Sequence, residues 1–169
     1  TSFVLLYLAL TGEPMRLFRN EEFHFYLGVI AALAALVAVS ITLDPSTTLG
    51  TEATLRHAVF TVVSIVTTTG YASIDYVEWA PAAKHLLFAG MFVGGMVGST
   101  TCSIKSLRWL VALKTFRRDL YTAIHPDAVR PVRIAGEPVD ERTIRDIYAY
   151  LLVSIVFVFA LTVVIVVDA

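Results

Sequence analysis

The sequence predicts an all-α membrane protein in which a short re-entrant helix lies between two membrane crossings. Three observations predict it: an oily composition, uncharged runs of crossing length, and one apolar run too short to cross that ends in Thr-Thr-Thr-Gly. Of 169 residues, 57% are apolar and 16% charged, with a mean hydropathy of +0.74. A soluble domain has about a quarter of its residues charged. The formal net charge of −1 gives no basis for binding nucleic acid. The single cysteine, Cys102, excludes an intrachain disulfide and a multi-cysteine metal site; a lone thiol in an apolar run is usually a small buried residue.

The first apolar run, residues 3–10, reads as the end of a preceding transmembrane helix placed within 1–12. With no initiator methionine, no basic leader and an abrupt apolar end, the chain is expected to be a fragment of a longer polypeptide. Residues 25–43, 86–104 and 147–167 carry no charge and reach the roughly 20 residues a crossing needs. Residues 55–69 offer only about 12 to 15 helical positions before the glycine, or about 18–22 Å of helix. The expected order within a membrane-pore-membrane repeat at 22–104 is therefore an outer helix at 25–43, a pore helix at 54–66 and a non-helical strand at 67–71. An inner helix at 84–112 follows, broken near 94–103, then a loop at 113–145 and the next outer helix at 146–169.

Lys105, Arg108, Lys114, Arg117, Arg118, Arg130, Arg133, Arg142 and Arg145 all fall between the second and third runs. The positive-inside rule puts that loop in the cytoplasm, and Arg16 and Arg19 ahead of the first run agree. The opposite side holds Asp44, Glu52, Asp75 and Glu78 against Arg56 and Lys84, a balance that modestly favours cations. Inside the loop, residues 129–134 and 137–139 read as two β-like pieces about a turn at Ala135 and Gly136. Asp140 then serves as a helix N-cap. A solvated basic linker fits the same residues.

Enzyme chemistry has no support in the chain. His24, His57, His85 and His125 are scattered without ligand spacing, and no nucleophile or phosphate-binding motif appears. No charge lies inside the three apolar runs, which disfavours a proton relay.

The end of the short helix is different. Irregular backbone at membrane depth is tolerated only against protein or a wet cavity, because each unpaired peptide group costs several kcal/mol in hydrocarbon. A helix that stops there aims its carbonyl end, carrying about half a negative charge, at what lies beyond. The carbonyls and hydroxyls of Thr67, Thr68, Thr69 and Gly70 can then replace water around a dehydrated cation. An ordinary helix end with the threonines bonded to their own turn fits the same residues. Likewise Gly90, Gly94 and Gly98 suit either close helix packing or a break in the inner helix, since glycine costs about 1 kcal/mol relative to alanine inside a helix.

The stretches VVSIVTTTGYASIDYVEWA, GGMVGSTTCSIKSLRWLVALK and HPDAVRPVRIAGEPV resemble the third membrane-pore-membrane repeat and following loop of the Trk/Ktr superfamily of potassium transporters. The similarity runs over nearly the whole chain, and Thr-Thr-Thr-Gly-Tyr is also similar to the filter motif of potassium channels. The resemblance implies a pore shared by four repeats that takes up potassium. The ion would sit at Thr68, Thr69 and Gly70, with Thr67 as the first filter position and Tyr71 packed behind. It further implies an intramembrane gating loop at Gly94, Gly95, Gly98, Ser99, Thr100, Thr101, Cys102, Ser103 and Lys105.

No organic cofactor is implied. The expected setting is the lipid of a prokaryotic cell membrane, with a homodimeric full-length protein and a cytoplasmic nucleotide-binding regulatory subunit docking on residues 105–145. Two departures from the family pattern stand out. Ala72 occupies the place of a channel's second glycine, which suits a shorter and less selective filter. Thr101, Cys102 and Ser103 replace a run of glycines and should stiffen the loop. A sodium-permeable relative of the same architecture remains open, as does a non-transporting scaffold in which residues 55–71 lie on the membrane surface.

Overall fold

A computed structural model of the chain describes residue 7 and residues 20–44, 50–125 and 131–168. Apart from Tyr7, the helix tail expected at 3–10 lies outside the described residues, as do Arg16, Arg19, Val129 and Arg130. The chain divides into two compact units, Thr1–Leu107 and Arg108–Ala169.

In the first unit, α1 spans Glu21–Thr42. Asn20 starts it, its side-chain oxygen accepting from the Glu22 and Phe23 amides at 2.9 and 3.2 Å. This satisfies two of the amides a helix start leaves open. The helix is long and apolar enough to cross a bilayer. Ala34, Val37 and Ile41 recur at helical spacing on its buried face.

Helix α2, Thr51–Val66, buries Ala58, Val62 and Val66 against α1. Its 16 residues amount to about 24 Å, short of the roughly 30 Å hydrocarbon core. A single 3₁₀ turn, Tyr76–Glu78, is capped by the Asp75 carboxylate, which accepts from the Val77 amide. It leads to α3, Pro81–Gly90, with proline in the first turn where its missing N–H costs nothing. Ala83 and Leu87 complete one core with Tyr26, Trp79 and Ala80.

The inner helix expected at 84–112 with a break near 94–103 has a wider one, over residues 91–105. After α3 ends at Gly90 the chain is non-helical until α4, Ser106–Ile124. Backbone pairing holds the gap open: Val93 and Ile104 form a parallel bridge, the Gly94 amide donates to the Ile104 carbonyl at 2.7 Å, and the Ser106 amide donates to the Gly95 carbonyl at 3.2 Å. These groups cannot also serve a continuous helix.

In the second unit α4 runs to Ile124, so the loop expected from 113 begins as helix. Leu110, Val111 and Thr115 form a buried stripe along it, Arg117 and Asp119 are exposed, and Arg108, Lys114 and Arg118 are half-buried. Strands β1, Arg133–Ile134, and β2, Glu137–Pro138, pair antiparallel with Arg133 opposite Pro138. The turn uses Ala135 and Gly136, both at positive φ, +50° and +89°, the pattern of a two-residue hairpin turn.

Helix α5, Glu141–Asp168, follows directly and is also long and apolar enough to cross a bilayer. Val111, Val132 and Ile144 form this unit's core. Arg118 bonds the Glu141 and Asp119 carboxylates, and the bond to Glu141 raises its pKa above the ordinary arginine range. Lys114 donates to the Arg133 carbonyl at 2.9 Å, tying helix to hairpin.

Candidate functional site

The strand after α2 is shaped by Val63, Ser64 and Ile65 in that helix's last turn. The amides of Thr67 and Thr68 donate back to the Val63 and Ile65 carbonyls at 2.9 and 3.0 Å; those of Thr69 and Gly70 share the Ser64 carbonyl at 2.8 and 3.3 Å. The Ser64 hydroxyl donates to the Tyr71 carbonyl at 2.6 Å. Four successive amides thus turn toward α2. Among the described residues no donor reaches the carbonyls of Thr67, Thr68, Thr69 or Gly70.

The backbone changes hand along this strand. Thr67 has φ −83°, Thr68 +55° and Gly70 +78°. Such reversals let successive carbonyls face one side. For a β-branched threonine a positive φ is a true outlier costing about 1–3 kcal/mol, the kind of strain that surrounding structure must hold in place. Gly70 is needed for its conformation rather than for space, since a methyl there would meet nothing within 4 Å. A cavity of about 260 Å³ beside the strand is lined by Thr61, Ser64, Thr68, Gly70 and Tyr71, among others.

Two details differ from the sequence expectation. The Thr67 hydroxyl bonds the Val63 carbonyl at 2.6 Å and lies 2.7 Å from the Thr69 hydroxyl, so it serves its own turn, as an ordinary helix end would have it. The open oxygens are mainly backbone carbonyls. Tyr71 is not packed behind the strand: the residue is 72% exposed, and its carbonyl accepts from the Ser64 hydroxyl.

Residues 91–105 form a compact loop. A methyl at Gly94 would lie 2.7 Å from the Cys102 carbonyl oxygen, and one at Gly95 would lie 2.4 Å from Thr101 Oγ1. Gly94 is therefore required by close approach of backbone, while Gly95 packs against the Thr101 and Ser99 side chains. Gly98 and Ser103 have φ of +81° and +76°. The Thr101 hydroxyl accepts from the Gly95 amide at 2.9 Å and pairs with Ser99 Oγ at 2.8 Å; Ser103 Oγ donates to the Met91 carbonyl at 2.6 Å. These are bonds that glycines at 101 and 103 could not make.

The Lys105 ammonium folds back onto the Ser99 and Thr101 carbonyls at 2.8 and 2.6 Å. Thr100 and Cys102 are exposed at the loop surface, Cys102 contrary to the usual burial of a lone apolar-run thiol. The whole set from Gly94 to Lys105 is brought together. Residues 67–71 form a separate cluster, with Met91 lining the cavity beside it.

Sequence reasoning missed Ser64 and Glu22. Ser64 sits in a run of β-branched residues with no signal apart from its position one turn before the threonines. Glu22 Oε1 accepts from the Val97 amide at 2.8 Å and from the Ser106 hydroxyl at 2.7 Å. In sequence it reads only as an acidic residue in a helix's first turn. His24 Nδ1 and His85 Nδ1 bond the Asn20 and Pro81 carbonyls one turn back, His57 Nδ1 lies 2.9 Å from Ser73 Oγ, His125 stacks on Tyr121, and no group of metal-ligating side chains occurs among the described residues.

The family model for TrkH, described as a cation transport protein, matches residues 29–169. A Trk system potassium uptake protein TrkH from Halomonas elongata is 37% identical over 135 residues, covering 79% of this chain and 27% of that protein. TrkI of the same organism, also a Trk system potassium uptake protein, is 36% identical over 150 residues, covering 88% of this chain and 30% of the relative. The crystal structure of the potassium transporter TrkH from Vibrio parahaemolyticus is similar with a TM-score of 0.85 at 25% identity, over 94% of this chain and 35% of that one. The chain therefore spans about a third of the length of the relatives it matches.

Proposed function

The chain belongs to the TrkH family of cation transport proteins, and from that premise we propose that it is part of a potassium uptake protein of a prokaryotic cell membrane. It contributes one of four filter strands and an intramembrane gate. α2 is a re-entrant pore helix whose carbonyl end faces the ion path. Potassium is the cargo, and Thr68, Thr69 and Gly70 hold it through their carbonyls, with Thr67 completing the strand and Tyr71 holding its outer end through the bond to Ser64. Residues 94–105 are the gate beneath.

One observation carries this reading: the strand 67–70 turns every amide toward α2 and leaves every carbonyl without a donor among the described residues. Carbonyls so arranged can replace the hydration shell of a cation and have nothing to offer an anion. The mildly acidic outer residues add a modest bias of the same sign.

The relatives' names motivate the ion, and the filter supports a cation of that kind. The full-length protein works as a homodimer, with residues 105–145 cytoplasmic and docking a nucleotide-binding regulatory subunit. The hairpin and the basic residues around it support that contact. Charge reversal at Arg117, Arg118 and Arg130 should abolish pull-down of the regulator, and retained binding would remove the contact from the account. For the filter, Gly70→Ser in the full-length protein, tested by uptake in a potassium-deficient strain, should weaken discrimination of potassium over sodium. Unchanged discrimination would remove the filter assignment.

A further inference from the structure

We propose that Glu22 is the latch of the intramembrane loop, a positioning residue whose single carboxylate oxygen ties the loop to the outer helix and must release it before the path can open. The inference rests on the reading of residues 94–105 as a gate.

Glu22 lies in the first turn of α1 at 9% exposure, and its Oε1 holds two groups far along the chain. One is the Val97 amide inside the loop, 75 residues away; the other is the hydroxyl of Ser106, 84 residues away, which is wholly buried and begins α4. One atom thus spans the loop and the helix it leads into. Among the described residues, the Val93 amide donates back to the Gly90 carbonyl that ends α3, while the other polar bonds of residues 94–105 run within 91–106, so they travel with the loop. That includes the two bonds of Lys105. Among these bonds, the two of Glu22 are the ones that tie residues 94–106 to α1.

The setting suits a carboxylate. It sits at the amino end of α1 and bonds the first residue of α4, so both helix dipoles present their positive ends to it. Asn20 already caps the Glu22 and Phe23 amides, which leaves the Glu22 side chain free to turn toward the loop rather than cap its own helix. Next to the latched amide, the Met96 side chain is wholly buried in the core of the first unit, whereas Val97, Gly98, Thr100, Cys102 and Ser103 are exposed. The loop is therefore pinned at 96–97 and at 104–106, with its tip between them uncovered. Releasing one oxygen frees both pins of polar character at once.

The test uses the full-length protein with any cysteines other than Cys102 replaced. Glu22→Ala removes both bonds, Ser106→Ala one, and Glu22→Gln keeps an acceptor oxygen in place. Potassium flux and the rate at which a water-soluble thiol reagent modifies Cys102 are read together. A bond to a charged group is worth enough to shift a two-state equilibrium about tenfold. Glu22→Ala should therefore raise both flux and Cys102 modification by about tenfold, Ser106→Ala should raise them less, and Glu22→Gln should stay near the parent.

Flux and Cys102 modification unchanged in Glu22→Ala would overturn the latch. So would lost flux in Ser106→Ala together with unchanged Cys102 modification, the outcome of a merely structural residue. Gly70→Ser run alongside separates the two readings: altered selectivity there with no Glu22 effect sinks the latch alone, whereas unaltered selectivity sinks the transport reading beneath it.

Discussion

Gly94→Ala places a methyl carbon 2.7 Å from the Cys102 carbonyl oxygen and 2.9 Å from that of Ile104. Both neighbours are backbone, so no side chain can rotate away. The segments 93–95 and 104–106 must part, and with them go the Gly94 bond to Ile104 and the Ser106 bond to Gly95. Overpacking of this kind costs about 1–3 kcal/mol, and each of the two hydrogen bonds adds about 0.5–1.5 kcal/mol.

The expected loss is therefore about 2–6 kcal/mol, concentrated in the loop. Gly28→Ala is the comparison, since a methyl there meets nothing within 4 Å and α1 should gain about 1 kcal/mol of helix propensity. Thermal unfolding of the detergent-solubilised full-length protein should rank Gly28→Ala at or above the parent and Gly94→Ala well below. Amide hydrogen exchange in residues 91–106 should rise in Gly94→Ala alone. Equal unfolding temperatures for the two variants would refute the close-approach reasoning.

Ser64→Ala removes the hydroxyl bond to the Tyr71 carbonyl and should loosen the strand by about 1 kcal/mol. Competition uptake should then show sodium inhibiting potassium entry more strongly than in the parent. In the second unit, Ile144→Ala should cost about 2–5 kcal/mol because Ile144 is buried between Val111 and Val132. Arg118→Ala should cost under about 1 kcal/mol, since its partners Asp119 and Glu141 are exposed. Thermal unfolding of the two variants orders them, and a larger effect at Arg118 would contradict the burial argument.

The apolar runs made α1 and α5 legible, and the change from β-branched residues to Thr-Thr-Thr-Gly marked the end of α2 within a residue. Local chemistry suffices there: Gly70 supplies a conformation no other residue adopts cheaply. The hairpin turn at Ala135 and Gly136 was legible for the same reason.

What escaped depends on pairing across distance. The helical course stops at Gly90 rather than near 94 because residues 93–95 pair with 104–106, and no periodicity in 84–93 records a partner that far away. α4 runs past 112 to Ile124 because Leu110, Val111 and Thr115 follow a helical stripe that the charges among them mask in sequence. Glu22 gave no sign of its role, since Val97 and Ser106 become its partners only once the loop has folded. The sequence pattern of a channel filter places Tyr71 behind the strand, whereas the residue is exposed and held by the Ser64 bond to its carbonyl.

The most direct measurement is to locate the ion. Crystals of the full-length protein soaked in thallium, a heavy stand-in for potassium, should give an anomalous peak coordinated by the carbonyls of Thr68, Thr69 and Gly70. A filter position empty of thallium while the ion occupies other sites in the same crystal would contradict the account.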